Sequence, residues 1–142
     1  MFEKDYLMRM FLQLAEAIRK SLMKEHESTE DALRDLERTI GDAVDIDPQV
    51  LLSLTPESVV SMLKLGTFDP ELGGLVVRAL FYQSNIYEEL GQFGHADLRR
   101  AQANAIAQAY GIDVSIADST PEMLEEYFAQ LDAESSIEDT RD

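Results

Sequence analysis

Apolar residues recur at intervals of three and four along almost the whole chain, which is the spacing of one face of an α-helix. The most regular stripe, in residues 70–91, consists of Leu72, Leu75, Val76, Ala79, Leu80, Ile86, Tyr87 and Leu90. Only residues 112–116 alternate between apolar and polar, and a single strand has no partner. The pattern therefore predicts an all-α protein. The predicted helices cover residues 3–25, 29–40, 56–65, 70–91, 93–110 and 121–131, with a short turn at 48–53.

Prolines and glycines mark the expected helix ends. An Asp or Thr before a proline can accept a hydrogen bond from a free N–H at a helix start, where proline loses no bond of its own. All four prolines have this setting: Pro48, Pro56, Pro70 and Pro121. Glycine readily takes the left-handed conformation that ends many helices. The predicted stops are Gly41, Gly66, Gly91 and Gly111.

The size of the chain suits one domain. It has 142 residues, of which 45% are apolar and 28% charged, as in an ordinary soluble domain. Residues 133–142 contain Ile137 as their only large apolar side chain and are mainly acidic and polar. Such a segment buries too little apolar surface to order itself. We expect a single helical domain over residues 1–132, followed by a disordered acidic tail over residues 133–142.

The net charge of the chain limits the classes of partner that it is expected to bind. Acidic residues outnumber basic ones 28 to 12, and the net charge is −16. Binding to a polyanion is then electrostatically unfavourable, so neither nucleic acid nor an anionic membrane is an expected partner.

Charged residues also interrupt the apolar N-terminal stretch before it reaches the length of a signal peptide or a transmembrane helix. A cytoplasmic location is the expectation.

Few residues are suited to catalysis. Cysteine is absent, which excludes disulfides, thiolate metal sites and cysteine nucleophiles. Of the two histidines, His26 is predicted to lie in a solvated polar connection between two helices rather than to bind a metal, and His95 is predicted to be a surface or capping residue. No catalytic residue, metal site or cofactor is assigned, and the chain is not expected to be an enzyme.

Residues 77–110 contain small and aromatic residues at characteristic spacings. They are Ser84, Tyr87, the Leu90-Gly91 turn, Phe93, Ala96 and Ala103. This segment resembles one tetratricopeptide repeat, a two-helix unit of about 34 residues. The resemblance implies tetratricopeptide-like helical hairpins that pack as a short right-handed array or bundle.

The same resemblance implies a binding surface. In tetratricopeptide proteins, the first helices of the repeats line a groove that binds extended peptides or partner surfaces. The corresponding positions here are Arg78, Phe81, Asn85, Glu88 and Glu89. The resemblance thus implies a protein–protein interaction or scaffold module with a protein or peptide partner. Exposed polar residues on an amphipathic helix also occur without any partner, so that alternative stays open.

The N-terminal helix is expected to make an interface. Residues 1–10 resemble the start of a bacterial family of short helical proteins without assigned activity, which implies a bacterial protein. Met8, Leu12 and Met23 fall beside the main apolar face of this helix. Either another helix of the same chain or a second copy in a homodimer should cover them.

Two other functions stay open at this point. One is a metal-dependent enzyme whose site is built from acidic residues. The other is an acidic mimic of nucleic acid that occupies a basic protein, and such a complex would be sensitive to salt.

Overall fold

Helices and their connections account for the residues that the computed structural model describes, which are 2–51, 53–66 and 68–141. The α-helices are α1 (Phe2–Leu22), α2 (Thr29–Val44), α3 (Pro48–Leu51), α4 (Pro56–Leu63), α5 (Pro70–Glu89), α6 (Phe93–Tyr110) and α7 (Pro121–Arg141). A short 3-10 helix, Ile116–Ser119, precedes α7. No strand occurs in these ranges, so the all-α prediction is confirmed for them.

The predicted helix starts are confirmed. Each of α3, α4, α5 and α7 begins at a proline. The Thr55 hydroxyl accepts a hydrogen bond from the backbone N–H of Ser58 at 3.2 Å, and the Asp69 carboxylate accepts one from Leu72 at 3.0 Å. These bonds satisfy backbone donors that have no partner inside the first turn of a helix.

Two of the four predicted stops are correct. Gly91 and Gly111 take the left-handed conformation, with φ of 75° and 64°, whereas Gly66 follows α4 without it. Gly41 is not a stop, because α2 continues to Val44 and ends at a left-handed Asp45. A Cβ on Gly41 would lie 2.8 Å from the Ile46 carbonyl oxygen, so glycine at this position allows the following chain to fold back closely against the helix.

Helix α5 lies at the centre of the fold, where it packs against α1, α2, α6 and the 3-10 helix. Its hairpin with α6 is confirmed, since Ser84 on α5 and Ala96 and Ala103 on α6 are buried between the two helices and the core. These small side chains allow the helix axes to approach closely. Phe93 is 62% exposed and does not fill the aromatic position that the repeat resemblance implies.

Helix α7 is held on α1 and α5 by aromatic and charged side chains. Leu124 and Phe128 are buried. The Arg19 guanidinium of α1 lies 4.6 Å from the centre of the Phe128 ring and donates to Asp132 at 2.9 Å. This set of contacts fixes the first three turns of the helix.

The backbone of the acidic tail differs from the expectation. Helix α7 runs to Arg141, ten residues beyond the end predicted at 131, where disorder was expected from residue 133. Once the anchored turns have formed, each further residue adds a helical hydrogen bond without a new nucleation cost. Residues 133–135 are exposed, in keeping with a helix that leaves the body of the protein.

No helix within the described ranges combines the length and the apolar character needed to cross a membrane.

Candidate functional site

Two of the predicted partner-binding residues are covered by the protein's own helices. Phe81 is 1% exposed and belongs to the core. Arg78 is half-buried, and its guanidinium lies 4.1 Å from the centre of the Tyr127 ring on α7. Phe81 is therefore closed off inside the core, and Tyr127 of α7 covers the guanidinium of Arg78.

The other three predicted residues lie at the C-terminal end of α5. Glu88 is exposed and accepts a hydrogen bond from Arg100 on α6 at 3.0 Å. Asn85 and Glu89 line a cleft of about 660 Å³ between α5, the end of α1 and the α1–α2 connection. We refer to it as the α1–α5 cleft. Its volume is within the range of sites that hold small molecules or parts of a peptide.

The α1–α2 connection forms one wall of this cleft and has a well-defined local conformation. Lys24 is left-handed, with φ of 55°. Its N–H donates to the Ser21 carbonyl at 3.1 Å, and the N–H of Glu25 donates to the Lys20 carbonyl at 3.0 Å. This pair of bonds is the Schellman arrangement that closes a helix C-terminus. Helix α2 then begins after Ser28, whose hydroxyl accepts a bond from Asp31.

His26 lies in the same wall and is not solvated, so the prediction of a solvated connection is wrong at this residue. Its side chain is 8% exposed, and Nε2 is 3.0 Å from a carboxylate oxygen of Asp35 on α2. Burial raises the pKa of Asp35, but the hydrogen bonds from His26 and Arg38 outweigh it and hold that pKa below its ordinary value. Nδ1 of His26 is buried and has no hydrogen-bond partner. The sequence carried only a weak signal of this contact, because residues 26 and 35 lie close together only if α2 folds back beside the α1–α2 connection.

A hydroxyl pair also borders the α1–α5 cleft. The oxygens of Ser21 on α1 and Tyr82 on α5 are 2.7 Å apart. Burial raises the pKa of Tyr82, the hydrogen bond from Ser21 lowers it by less, and the negative charge of Glu89 raises it further. The phenol is therefore neutral at physiological pH and can both donate and accept a hydrogen bond.

His95 is exposed, as predicted for a surface residue. Its ring lies 5.1 Å from the ring of Tyr87, centre to centre. It is two positions inside α6 and supplies no cap, because the residue before that helix is Gln92.

Sequence reasoning missed a buried polar network between α2, α5 and α6. Glu37 Oε1 accepts hydrogen bonds from Gln83 at 2.9 Å and from two nitrogens of Arg99 at 2.7 and 3.1 Å. Arg99 also donates to Gln102 at 2.6 Å, and Gln102 donates to the Leu51 and Leu54 carbonyls at 3.0 Å. A signal existed in the sequence: Arg99 is three residues after Ala96 and four before Ala103, on the face of α6 that packs inward.

Metal-ligating side chains do not converge in the part of the chain that the structure describes. Residues 2–51, 53–66 and 68–141 contain no group of three or more His, Cys, Asp or Glu residues placed to hold a metal ion.

The predicted interface residues of the N-terminal segment are exposed. Met8, Leu12 and Met23 have 55%, 58% and 69% of their surface accessible, so no helix within the described part of the chain covers them fully. The alternative of internal packing is therefore wrong for these three side chains, and the homodimer stays a prediction.

Comparison with known proteins places no relative beside this chain: no family model, no curated protein and no solved structure matches it.

Proposed function

We propose that this protein is an interaction module that binds an extended peptide segment of a partner protein in the α1–α5 cleft. The observation that supports this most directly is the position of Asn85 and Glu89, two residues that the tetratricopeptide resemblance marks for partner contact, in the wall of a cleft of about 660 Å³. The other long wall is the ordered α1–α2 connection.

The lining of the cleft suits a peptide. The side-chain amide of Asn85 has one acceptor and two donor hydrogens, which match the C=O and N–H of a peptide group. Leu22, Ile86 and Pro121 provide apolar surface for a side chain of the peptide. A preformed site of this kind orders the peptide without a large rearrangement of the protein.

The charges of the cleft favour a basic segment. Glu27 and Glu89 both line it, and neither forms an ion pair within the ranges that the structure describes. Lys24 is the only lysine or arginine in the lining. With a net charge of −16 on the whole chain, the long-range field also attracts a basic peptide.

The packing of α5 supports a tetratricopeptide-like arrangement. The α1–α2 pair and the α5–α6 pair are both helical hairpins, and α5 contacts α1 and α2 together. The first helix of a repeat makes the same kind of contact with both helices of the repeat before it. We propose on this basis that the two hairpins form a short repeat-like unit, capped by α7.

The proposed function is tested by selecting peptides from a phage-displayed random library. Fluorescence anisotropy with the labelled selected peptides then measures their affinity. Binding should weaken by roughly tenfold in Asn85→Ala and in Glu89→Lys, because each removes a contact in the cleft. Glu88→Lys is the matched control, since the adjacent Glu88 lies outside the cleft and faces Arg100.

The salt dependence of binding distinguishes the proposed peptide-binding function from that of an acidic nucleic-acid mimic. A cleft contact that buries apolar and backbone groups keeps most of its affinity at about 0.5 M NaCl, where exposed charges are strongly screened. Equal loss of binding in Glu88→Lys and Glu89→Lys, or complete loss in salt, would show a non-specific acidic surface instead.

A further inference from the structure

Helix α7 contacts the body of the protein through a single stripe of side chains. Leu124 and Phe128 are buried, Tyr127 and Leu131 are partly buried, and the other residues of 121–135 are exposed. These four positions have the spacing i, i+3, i+4 and i+7, by which an amphipathic helix binds in the groove of a partner. The contact between α7 and the rest of the chain therefore has the form of helix-in-groove recognition.

Two neighbouring aromatic residues of α7 contact two different helices. The Phe128 ring centre is 4.6 Å from the guanidinium of Arg19 on α1, and the Tyr127 ring centre is 4.1 Å from that of Arg78 on α5. Asp132, one turn after Phe128, accepts hydrogen bonds from Arg19 at 2.9 and 3.3 Å. Helix α7 thus bridges α1 and α5. We refer to the part of these two helices that it covers, which includes Arg19 and Arg78, as the α7-binding surface.

The charges of the two sides are complementary. Residues 121–135 contain several acidic side chains and no lysine or arginine. On a chain with a net charge of −16, the α7-binding surface presents two guanidinium groups. Arg19 pairs with Asp132, and Arg78 forms no ion pair within the described ranges. A helix that is both acidic and aromatic therefore matches this surface.

The docking of α7 is separate from the polar network that joins the other helices. None of the hydrogen bonds around Glu37 and Arg99 involves a residue of α7. The ion pair between Arg19 and Asp132 lies at the surface, with side chains 40% and 65% exposed, where water weakens it. Another helix can therefore replace α7 without breaking the network that joins α2, α5 and α6.

We propose that the α7-binding surface is a second interaction site, which binds an acidic amphipathic helix of a partner protein in place of α7. The partner helix carries leucine or aromatic residues at the four stripe positions and a carboxylate at the position of Asp132. Because α7 is tethered to the surface by residues 111–120, it competes at a high effective concentration. A free helix therefore binds weakly until the docking of α7 is weakened.

Fluorescence anisotropy with a fluorescein-labelled synthetic peptide of residues 119–135 tests the site, because this peptide carries the four stripe residues and Asp132. Phe128→Ala in the full chain weakens the docking of its own α7 and changes no residue of α1 or α5. We expect the peptide to bind this variant at least about tenfold tighter than the wild type. Absence of saturable binding to the variant, or equal affinity for the variant and the wild type, would overturn the proposal.

The matched control peptide has the same Phe128→Ala change and the same charge. It should bind the Phe128→Ala protein at least about tenfold more weakly than the unchanged peptide, because it lacks the buried aromatic anchor. Equal affinity of the two peptides would show attraction by charge alone and contradict helix-in-groove binding.

A surface variant keeps the test decisive if Phe128→Ala does not fold. Asp132→Arg replaces an exposed side chain and places a like charge beside Arg19, so it loosens α7 without altering the core. We expect it to bind the peptide about threefold tighter than the wild type. Glu126→Arg makes the same change of charge at an exposed position of α7 and should retain wild-type affinity. Equal tightening in both variants would mean that net charge alone attracts the peptide, and the proposal would fail.

Two further substitutions in the Phe128→Ala protein locate the bound peptide. Arg78→Gln should weaken binding by about fivefold, because Arg78 contacts the ring of Tyr127. Asn85→Ala should leave it unchanged, because Asn85 lines the α1–α5 cleft instead. Weakening by Asn85→Ala and not by Arg78→Gln would place the peptide in that cleft. It would overturn the second site and leave the function proposed for the cleft intact.

Discussion

Glu37 on α2 and Arg99 on α6 are 62 residues apart in sequence and form a buried ion pair, with Arg99 Nη2 donating to Glu37 Oε1 at 2.7 Å. Arg99 is 1% exposed, and its remaining donors reach Gln102 and the Leu51 carbonyl. The pair thereby joins α2 and α6 to the C-terminal end of α3.

Replacing Arg99 with Leu should destabilise the fold by about 3–5 kcal/mol, because it leaves the Glu37 carboxylate buried without its charge partner. Chemical denaturation monitored by circular dichroism measures the loss. Arg100→Leu is the control, since Arg100 is partly exposed and its pairs with Glu88 and Asp97 lie at the surface. The double variant Glu37→Leu, Arg99→Leu should lose less stability than Arg99→Leu alone. A larger loss in the double variant would contradict the buried-charge explanation.

Ala103→Leu should cost about 1–3 kcal/mol, because residue 103 is fully buried where α6 packs on α5 and a larger side chain overfills the contact. Ala101→Leu makes the same change at an exposed position of the same helix and should leave the midpoint of unfolding almost unchanged. Equal midpoints for the two variants would mean that the helices do not meet at residue 103.

A chain that ends at Asp132 should retain its helical circular dichroism and melt within a few degrees of the full chain. It keeps Leu124, Phe128 and the contact between Arg19 and Asp132, which hold α7 on the body of the protein. Ending the chain at Glu126 removes Phe128 and the contact between Arg19 and Asp132 and should lower the melting temperature clearly. A large loss of stability on removal of residues 133–142 alone would show that the tail docks on the protein.

The exposed apolar side chains of the N-terminal segment should support a homodimer. Sedimentation equilibrium over a concentration series measures the state of the wild type and of the double variant Met8→Glu, Leu12→Glu. We expect a wild-type dimer that becomes a folded monomer in the variant, because the substitutions place charges on side chains that are more than half exposed. A wild type that remains monomeric at high concentration rules the dimer out.

Stability should fall as the pH rises above about 10, because burial raises the pKa of Tyr82, Tyr87 and Tyr127 in the folded state. The unfolded chain ionises its tyrosines near pH 10 while the folded protein keeps these three neutral, so unfolding releases protons in this range. The contribution of these three neutral tyrosines to the free energy of unfolding is complete below pH 10. It is lost as the pH rises through their folded-state pKa values. Denaturation at several pH values and absorbance of the phenolate near 295 nm measure it. Tyr82→Phe should reduce the pH dependence, and an unchanged slope in this variant would contradict the explanation.

The sequence by itself determined the class of the fold and most helix boundaries. The four helix starts at prolines and the stops at Gly91 and Gly111 depend on hydrogen bonds and backbone angles within a few residues, which a local pattern contains. The α5–α6 hairpin was predictable for the same reason, since its two helices are adjacent in sequence and joined by a short turn. The sequence placed Met8 and Leu12 beside the main apolar face of one helix but left open what covers them, and their exposure was visible only in the structure.

Only the tertiary structure decided which surfaces remain open. Arg78 and Phe81 have the expected helical spacing, but α7 covers Arg78, and Phe81 is part of the core. The partners of Glu37 and His26 likewise depend on which helix faces meet, and the contact between Glu37 and Arg99 spans 62 residues. The spacing of apolar residues in the sequence indicates which face of each helix is apolar. It does not state which apolar faces pack together, because many pairings bury similar area and only the packed arrangement of all the helices selects one.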